Sequence, residues 1–334
     1  MGNATPKAEA VTRGARMLRT ALGPDIATFL EDPAIVEVML NPDGRLWIDR
    51  LSEGLADTGA TLLPADGERI IRLVAHHVGA EVHSGYPRVS AELPGTGERF
   101  EGLLPPVVAA PAFAIRKPAV AVFTLDDYAC AGIMSSAQAT CLRKAVIERR
   151  NILVAGGTST GKTTLTNAIL AELVETTPEH RLVILEDTAE IQCAAENHVI
   201  LHTTDTVDMG RLLKSTMRLR PDRIIVGEVR DGAALTLLKA WNTGHPGGIA
   251  TVHSNSAGAA LTRLEQLVAE VSSQPMPEVI GEAVDLIVSI ERAPGGRTVR
   301  EILKVEGFRD GRYLTTPVGA SKSESIQGRN LHVV

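Results

Sequence analysis

The chain contains 334 residues, which exceeds one typical domain and favours a protein of two domains. Hydrophobic residues make up 44 % of the chain and charged residues 22 %, as in ordinary globular proteins, whereas aromatic residues make up only 3 %. Aliphatic side chains must therefore fill the cores. The net charge of -6 excludes a global basic field, so direct binding to nucleic acid is not expected.

The cysteines and the apolar runs bear on the cellular compartment. The three cysteines are widely spaced and form no CxxC pair, which fits a reducing cytoplasm better than a disulfide scaffold or a zinc site. No stretch approaches the roughly 18 consecutive apolar residues of a membrane-spanning helix. The N-terminus also lacks the apolar centre of a signal peptide. We therefore expect a cytoplasmic protein that contacts membranes only peripherally.

Residues 1–125 are predicted to form a smaller α+β domain. Its first segment, residues 7–30, carries apolar side chains at helical spacing and reaches the breaker pair Gly23-Pro24. This pattern predicts an amphipathic helix, which faces either solvent or a membrane surface.

The rest of this N-terminal domain alternates between strand and helix signals. Asn41–Gly44 predicts the turn of a β-hairpin that extends from Ile35 to Asp49. Residues 66–82 follow a helical stripe, and two β-like runs come after it, at residues 99–104 and 113–117.

The pattern loosens between Pro118 and Ala131, and we predict an interdomain linker at residues 126–138. From residue 139 to 318, apolar strands and helices alternate, which predicts a mainly parallel sheet covered on both faces. The predicted strands are 152–155, 182–185, 199–202, 224–226 and 249–252, and the predicted helices are 139–149, 162–175, 207–219, 231–241 and 257–271.

The C-terminal end of this second domain has a different pattern. Leu286 to Glu291 and Val299 to Leu314 are predicted to be antiparallel strands at the edge of the sheet. The polar residues 319–334 are predicted to be a flexible tail.

A phosphate-binding loop follows the first strand of the second domain. Residues 156–163 match GxxxxGK[ST] in full, between an apolar strand and a helix, which is the context that this motif requires. The glycines let backbone N–H groups surround phosphates, Lys162 reaches the outer phosphates, and the Thr163 hydroxyl binds Mg²⁺. The predicted nucleotide-binding residues are Gly156, Gly157, Thr158, Ser159, Thr160, Gly161, Lys162, Thr163 and Thr164.

Acidic residues at the ends of neighbouring strands complete the predicted site. Glu186 follows strand 182–185, and Glu228 follows Ile224-Ile225-Val226-Gly227 as in a Walker B segment. Because the carboxyl ends of parallel strands meet at one edge, both acids should lie near the loop. We expect Glu228 to polarise the attacking water and Glu186 to help hold the metal, although these roles can be exchanged. The predicted metal ligands are Thr163, Glu186 and Glu228.

His253 ends another apolar strand at the same predicted edge. An imidazole there can contact a phosphate or a catalytic acid, or it can be purely structural. The local sequence does not decide between these roles.

Four segments with this chemistry resemble one family. The loop at 156–163, LEDTAEI at 185–191, RPDRIIVGEVR at 220–230 and GIATVHSNS at 248–256 are similar to the Walker A, Asp box, Walker B and His box of secretion ATPases. In the N-terminal half, EVMLNPDG at 37–44 and FAIRK at 113–117 resemble the conjugal-transfer branch of that family, the TrbB type.

The resemblance implies a fold and a function. It implies a RecA-like P-loop NTPase domain, with ATP and Mg²⁺ bound between this domain and the N-terminal module. It also implies a homo-hexameric ring at the cytoplasmic face of the inner membrane, where it contacts secretion or conjugation channel components and powers conjugal transfer or type IV secretion. Arg99 and Arg116 would then reach the nucleotide from the N-terminal domain and join Glu228, Glu186 and His253 as catalytic residues.

Other functions share parts of this pattern. Motors of type IV pili and type II secretion have the same core, but type II motors often carry a tetracysteine module that this chain lacks. A P-loop kinase, a DNA-translocating ATPase and an assembly platform that binds ATP without hydrolysing it are more distant alternatives.

Overall fold

The computed structural model describes residues 6–50, 54–94, 96–118, 123–204, 206–293 and 296–318, with side chains from residue 16 onward. The chain divides into two compact units, Met1–Ala121 and Val122–Val334. The predicted tail at 319–334 lies outside the described residues. None of the described helices is both long enough and apolar enough to cross a bilayer.

The first unit is an antiparallel sheet with two helices. Its helices are α1 (Pro6–Glu31) and α2 (Pro64–Val78), and its strands are β1 (Ile35–Leu40), β2 (Arg45–Arg50), β3 (Gly54–Thr61), β4 (Arg88–Glu92), β5 (Arg99–Leu103) and β6 (Ala112–Arg116). The strand order is β3-β2-β1-β6-β5-β4. Leu22 and Ile26 of α1 and Ile70 of α2 share one buried core with Val38 and Ile115 of the sheet.

The sequence predicted most of this unit. The hairpin is confirmed, because β1 and β2 pair with Val38 opposite Ile48. The break in the first helix is confirmed as well, since Gly23 adopts φ 77° and ψ 173° and thereby kinks α1. The sequence pattern does not predict strand β3, because its residues, GLADTGAT, form no apolar face. Such a pattern is common for a strand at a sheet edge, where β3 lies.

The second unit is an eight-stranded sheet with helices on both faces. Its strands are β7 (Ile152–Gly156), β8 (Leu182–Glu186), β9 (His198–His202), β10 (Arg223–Val226), β11 (Ile249–His253), β12 (Leu286–Ala293), β13 (Gly296–Arg309) and β14 (Arg312–Pro317). Its helices are α3 (Leu125–Cys130), α4 (Ser136–Ile147), α5 (Lys162–Thr176), α6 (Met209–Thr216), α7 (Ala233–Asn242), α8 (Ala257–Ala269) and α9 (Pro277–Ala283).

Most neighbours in this sheet are parallel. The strand order is β14-β13-β12-β7-β11-β10-β8-β9, and the pairs from β12 to β9 all run parallel. The side chains of β7 alternate between two cores, with Leu153 and Ala155 in one and Ile152 and Val154 in the other. The predicted parallel sheet with both faces covered is therefore present.

Two predictions about this unit are wrong. Strand β12 is not an antiparallel edge strand: it lies inside the sheet and pairs in parallel with β7, as its run of buried apolar residues allows. Residues 126–138 are not a linker, because most of α3 falls within them. The Thr124–Asp127 capping box begins that helix, and Tyr128 is buried in the core of the second unit.

A buried amide joins three segments behind the phosphate-binding loop. Asn151, which precedes β7, accepts hydrogen bonds from the backbone N–H groups of Gly247 (2.7 Å) and Gly248 (3.0 Å). Its Nδ2 donates to the carbonyl of Ala283 at 2.7 Å. One side chain thereby satisfies three backbone groups, and it is only 4 % exposed.

We predict that Asn151→Ala lowers the free energy of unfolding by about 3 kcal/mol, because it leaves several buried backbone groups without partners. Chemical denaturation of the full chain measures this change. The control is Asn242→Ala, which removes an exposed amide that donates to Glu282 and should change stability by less than about 0.5 kcal/mol. Equal effects of the two substitutions would contradict the anchoring role.

Candidate active site

The loop after β7 has a backbone that requires glycine. Gly161 adopts φ +99°, and a Cβ on it would come within 2.9 Å of Arg297 Cδ. A Cβ on Gly156 would lie only 2.5 Å from the carbonyl oxygen of Ile290. Helix α5 begins directly after Gly161, so the loop ends at a helix N-terminus, where anions bind readily.

The amino group of Lys162 lies inside this loop. The residue is 8 % exposed, and its Nζ donates to the carbonyls of Gly156 (3.0 Å) and Gly157 (2.9 Å). Its Nζ also lies 3.4 Å from Nδ1 of His253. The structure thus places the lysine of the motif against the histidine at the end of β11.

His253 connects Lys162 to Glu228. Its Nε2 lies 2.5 Å from Oε1 of Glu228. Burial lowers the pKa of the His253 imidazole below its ordinary value, and although Glu228 opposes this, Lys162 adds to it. A neutral ring with its proton on Nε2 suits both contacts, because Nδ1 can then accept from Lys162 while the N–H at Nε2 faces the Glu228 carboxylate.

Arg230 holds the other oxygen of the Glu228 carboxylate. Its Nε donates to Oε2 of Glu228, and its Nη1 lies 3.3 Å from Oδ2 of Asp187. Asp187 in turn accepts a hydrogen bond from the Thr203 hydroxyl at 3.0 Å. Both oxygens of Glu228 therefore face cationic or polar groups, and its side chain is only 12 % exposed.

Thr163 contacts an acid that the sequence did not single out. Its Oγ1 donates to Oε2 of Glu190 at 2.8 Å, and the backbone carbonyl of Glu190 accepts from Nδ2 of Asn167. The sequence contained a signal for Glu190, because it lies in the acidic segment after β8, four residues beyond Glu186. The proximity of Glu190 to the loop depends on the path of the segment between β8 and β9, which forms no regular element.

Glu186 interacts mainly with backbone groups. Its Oε2 accepts from the N–H groups of Glu190 and Ile191, each at 3.0 Å. Burial raises the pKa of Glu186, and these two amides oppose that change. Its Oε1 is 3.9 Å from Nδ1 of His202. The side chain thus orders the segment that carries Glu190, and its predicted metal contact stays a prediction.

Arg99 and Arg116 belong to the first unit. They lie directly opposite each other on β5 and β6, and Arg116 also lies opposite Glu37 of β1. Burial raises the pKa of Glu37, and the two arginines oppose this shift. The structure thus brings the two predicted arginines together on one face of the first unit, and their predicted contact with nucleotide stays a prediction.

A cavity of about 550 Å³ opens beside the loop within the second unit. It is lined by Gly157, Thr158, His253, Ser254, Asn255, Ala259, Thr262, Arg263 and Gln266. The strand, the glycine loop, the helix and the acids at neighbouring strand ends together define a P-loop nucleotide-binding protein.

Comparison with known proteins agrees with this class. The model of the type II/IV secretion system protein family matches residues 88–330, and the chain belongs to this family. The chain is 62 % identical to a probable conjugal transfer protein TrbB of Sinorhizobium fredii, over 89 % of this chain and 91 % of that protein. It is 30 % identical to the type IV secretion system protein VirB11 of Bartonella quintana, over 83 % and 90 % of the two chains.

A solved structure supports the fold. The ATPase DotB of Legionella pneumophila aligns with a TM-score of 0.60 at 17 % identity, covering 82 % of this chain and 78 % of that one. At this identity the likeness concerns the fold alone.

Proposed function

We propose that this protein hydrolyses ATP and that a ring of its subunits uses the energy to power conjugal transfer or type IV secretion. The observation that carries the catalytic part is the contact chain from Lys162 through His253 to Glu228, which joins the phosphate-binding loop to the Walker B acid. The high identity to a conjugal transfer protein over nearly the whole chain supports the assignment of the process.

The residues present fit a magnesium nucleotide. The loop needs glycine at positions 156 and 161, because a Cβ there would meet the carbonyl of Ile290 and the side chain of Arg297. A glycine-rich backbone of this kind lets its N–H groups point at phosphates. Thr163 and Glu190 place a hydroxyl and a carboxylate 2.8 Å apart at the start of α5. Mg²⁺ commonly takes one or two such protein ligands and leaves its other positions to phosphates and water. When bound, it neutralises charge that develops on the phosphates.

The protein groups then have separate tasks. Lys162 binds the outer phosphates once its ammonium leaves the loop carbonyls. Glu228 orients the attacking water and accepts its proton, since the carboxylate lies at the strand end beside the loop. His253 contacts Glu228 through Nε2 and Lys162 through Nδ1, and it thereby links the positions of these two residues. Glu186 orders the segment that carries Glu190, and Glu190 rather than Glu186 pairs with the metal-binding hydroxyl.

The motor part of the proposal involves the first unit. We assign the second unit a RecA-like core. The whole chain then forms a homo-hexamer at the cytoplasmic face of the inner membrane, where it contacts channel components. Arg99 and Arg116, which share a face of the first unit, add positive charge to the nucleotide phosphates when the units close.

We predict that Glu228→Gln retains ATP binding and loses at least about 100-fold in the rate of phosphate release, because the amide cannot accept the proton of water. Equilibrium binding and a phosphate-release assay on the full chain measure the two properties. Glu196→Gln, which changes an exposed acid within residues 187–197, should affect neither. An unchanged hydrolysis rate in Glu228→Gln would remove this residue from the proposed role.

The roles of Glu190 and Glu186 are separable. We predict that Glu190→Gln raises the Mg²⁺ concentration for half-maximal hydrolysis by about tenfold or more, without lowering thermal stability. Glu186→Gln should chiefly lower thermal stability, because it weakens the acceptor of one buried and one half-buried N–H group. A large Mg²⁺ effect for Glu186→Gln alone would instead make Glu186 the metal-binding acid.

We predict that Glu228→Gln mixed with ATP and Mg²⁺ has about six times the mass of one chain, since it should hold the nucleotide without consuming it. Size-exclusion chromatography with light scattering measures this mass. Lys162→Ala, which should bind nucleotide weakly, is the matched sample. A monomer of Glu228→Gln under saturating ATP would contradict the ring.

A further inference from the structure

One wall of the cavity beside the phosphate-binding loop consists of residues that have no role in the proposed catalysis. Helix α8 supplies this wall with Ala259, Thr262, Arg263 and Gln266, while Gly157 and Thr158 of the loop are also among the lining residues. Its lining residues include no carboxylate within the part of the chain that the structure describes. Hydroxyls, amides, an imidazole and a guanidinium are therefore its polar groups, and this set favours an anion.

Arg263 is the residue of this wall with a permanent charge. It is half-buried, and its Nη1 lies 3.2 Å from Oε1 of Gln266. Among residues 16–50, 54–94, 96–118, 123–204, 206–293 and 296–318, no carboxylate forms an ion pair with it. Several other arginines of the second unit, such as Arg143 and Arg230, do pair with acids.

The location of the cavity identifies which part of a nucleotide would reach Arg263. The first residues of the loop, Gly157 and Thr158, line the cavity together with His253. His253 is also the residue that contacts the ammonium of Lys162, which serves the outer phosphates. The cavity therefore extends from the position that the outermost phosphate would occupy toward helix α8.

We propose that Arg263 binds the outermost phosphate of a nucleoside triphosphate and makes the second unit distinguish a triphosphate from a diphosphate. This inference rests on the proposed function, because it assumes that the loop holds the inner phosphates. A guanidinium suits the task, since its planar donors match phosphate oxygens. Helix α8 would thereby gain a contact when triphosphate binds and lose it when phosphate departs.

The test compares two ligands on the full chain: a non-hydrolysable ATP analogue and ADP, each with Mg²⁺, measured by calorimetry. We expect Arg263→Ala to weaken binding of the analogue by about 10- to 100-fold, the size of a charged hydrogen bond, and to change ADP binding less than about threefold. Arg263→Lys should recover part of the loss. Arg312→Ala, which removes an exposed arginine of β14, should change neither affinity.

Retained ADP binding shows that the variant is folded, so a selective loss supports the proposal. An equal loss for both ligands, or no loss for either, would overturn it. So would an Arg263→Ala variant that keeps its preference for the analogue but has a lower mass in solution, because the arginine would then face a second copy of this chain. If Arg263→Ala loses the preference for the analogue but the wild-type protein releases no phosphate from ATP, the proposed hydrolysis is refuted and the proposed role of Arg263 is supported.

Discussion

Strand β11 lies between the strand that carries the phosphate-binding loop and the strand that leads to Glu228, and all three run in the same direction. The register places His253 opposite Gly156 on β7, while Val226 of β10 lies opposite Ala250. Strand β11 continues three residues beyond Ala250 to His253, and the chain after β10 reaches Glu228 two residues beyond Val226, so an imidazole at the tip of β11 can contact both neighbours at once. A shift of one residue in β11 would turn His253 toward the opposite face of the sheet and separate Lys162 from Glu228.

The contacts around that imidazole also fix the charge balance of the site. Lys162, Arg230 and Arg263 bring positive charge to a region where Glu228 is nearly buried, and a protonated imidazole would add to it. A neutral His253 avoids this cost and still supplies one donor and one acceptor. Glu228 thus lies between the guanidinium of Arg230, which donates to its Oε2, and Nε2 of His253.

The sequence was sufficient for the parts of the site that follow from strand ends. The loop at 156–163, Glu228 and His253 each directly follow or end a buried apolar strand, so their common edge could be predicted from the alternation of strands and helices. The importance of Glu190 could not, because residues 187–197 form no regular element and several acids there are equivalent in sequence. Helix α3 does have a sequence signal, because Thr124 and Asp127 form a capping box at its start. The pairing of β12 with β7 could not be predicted, because an apolar run does not reveal which strand it will pair with.

The inner position of β12 has a mechanical consequence. Arg292 at its end donates to the carbonyl of Ser159 at 3.1 Å, and the carbonyl of Ile290 limits the space at Gly156. Arg297, at the start of β13, lies in the same way against Gly161. The phosphate-binding loop thus packs against the β12–β13 hairpin at three points. A displacement of that loop would therefore displace the hairpin as well.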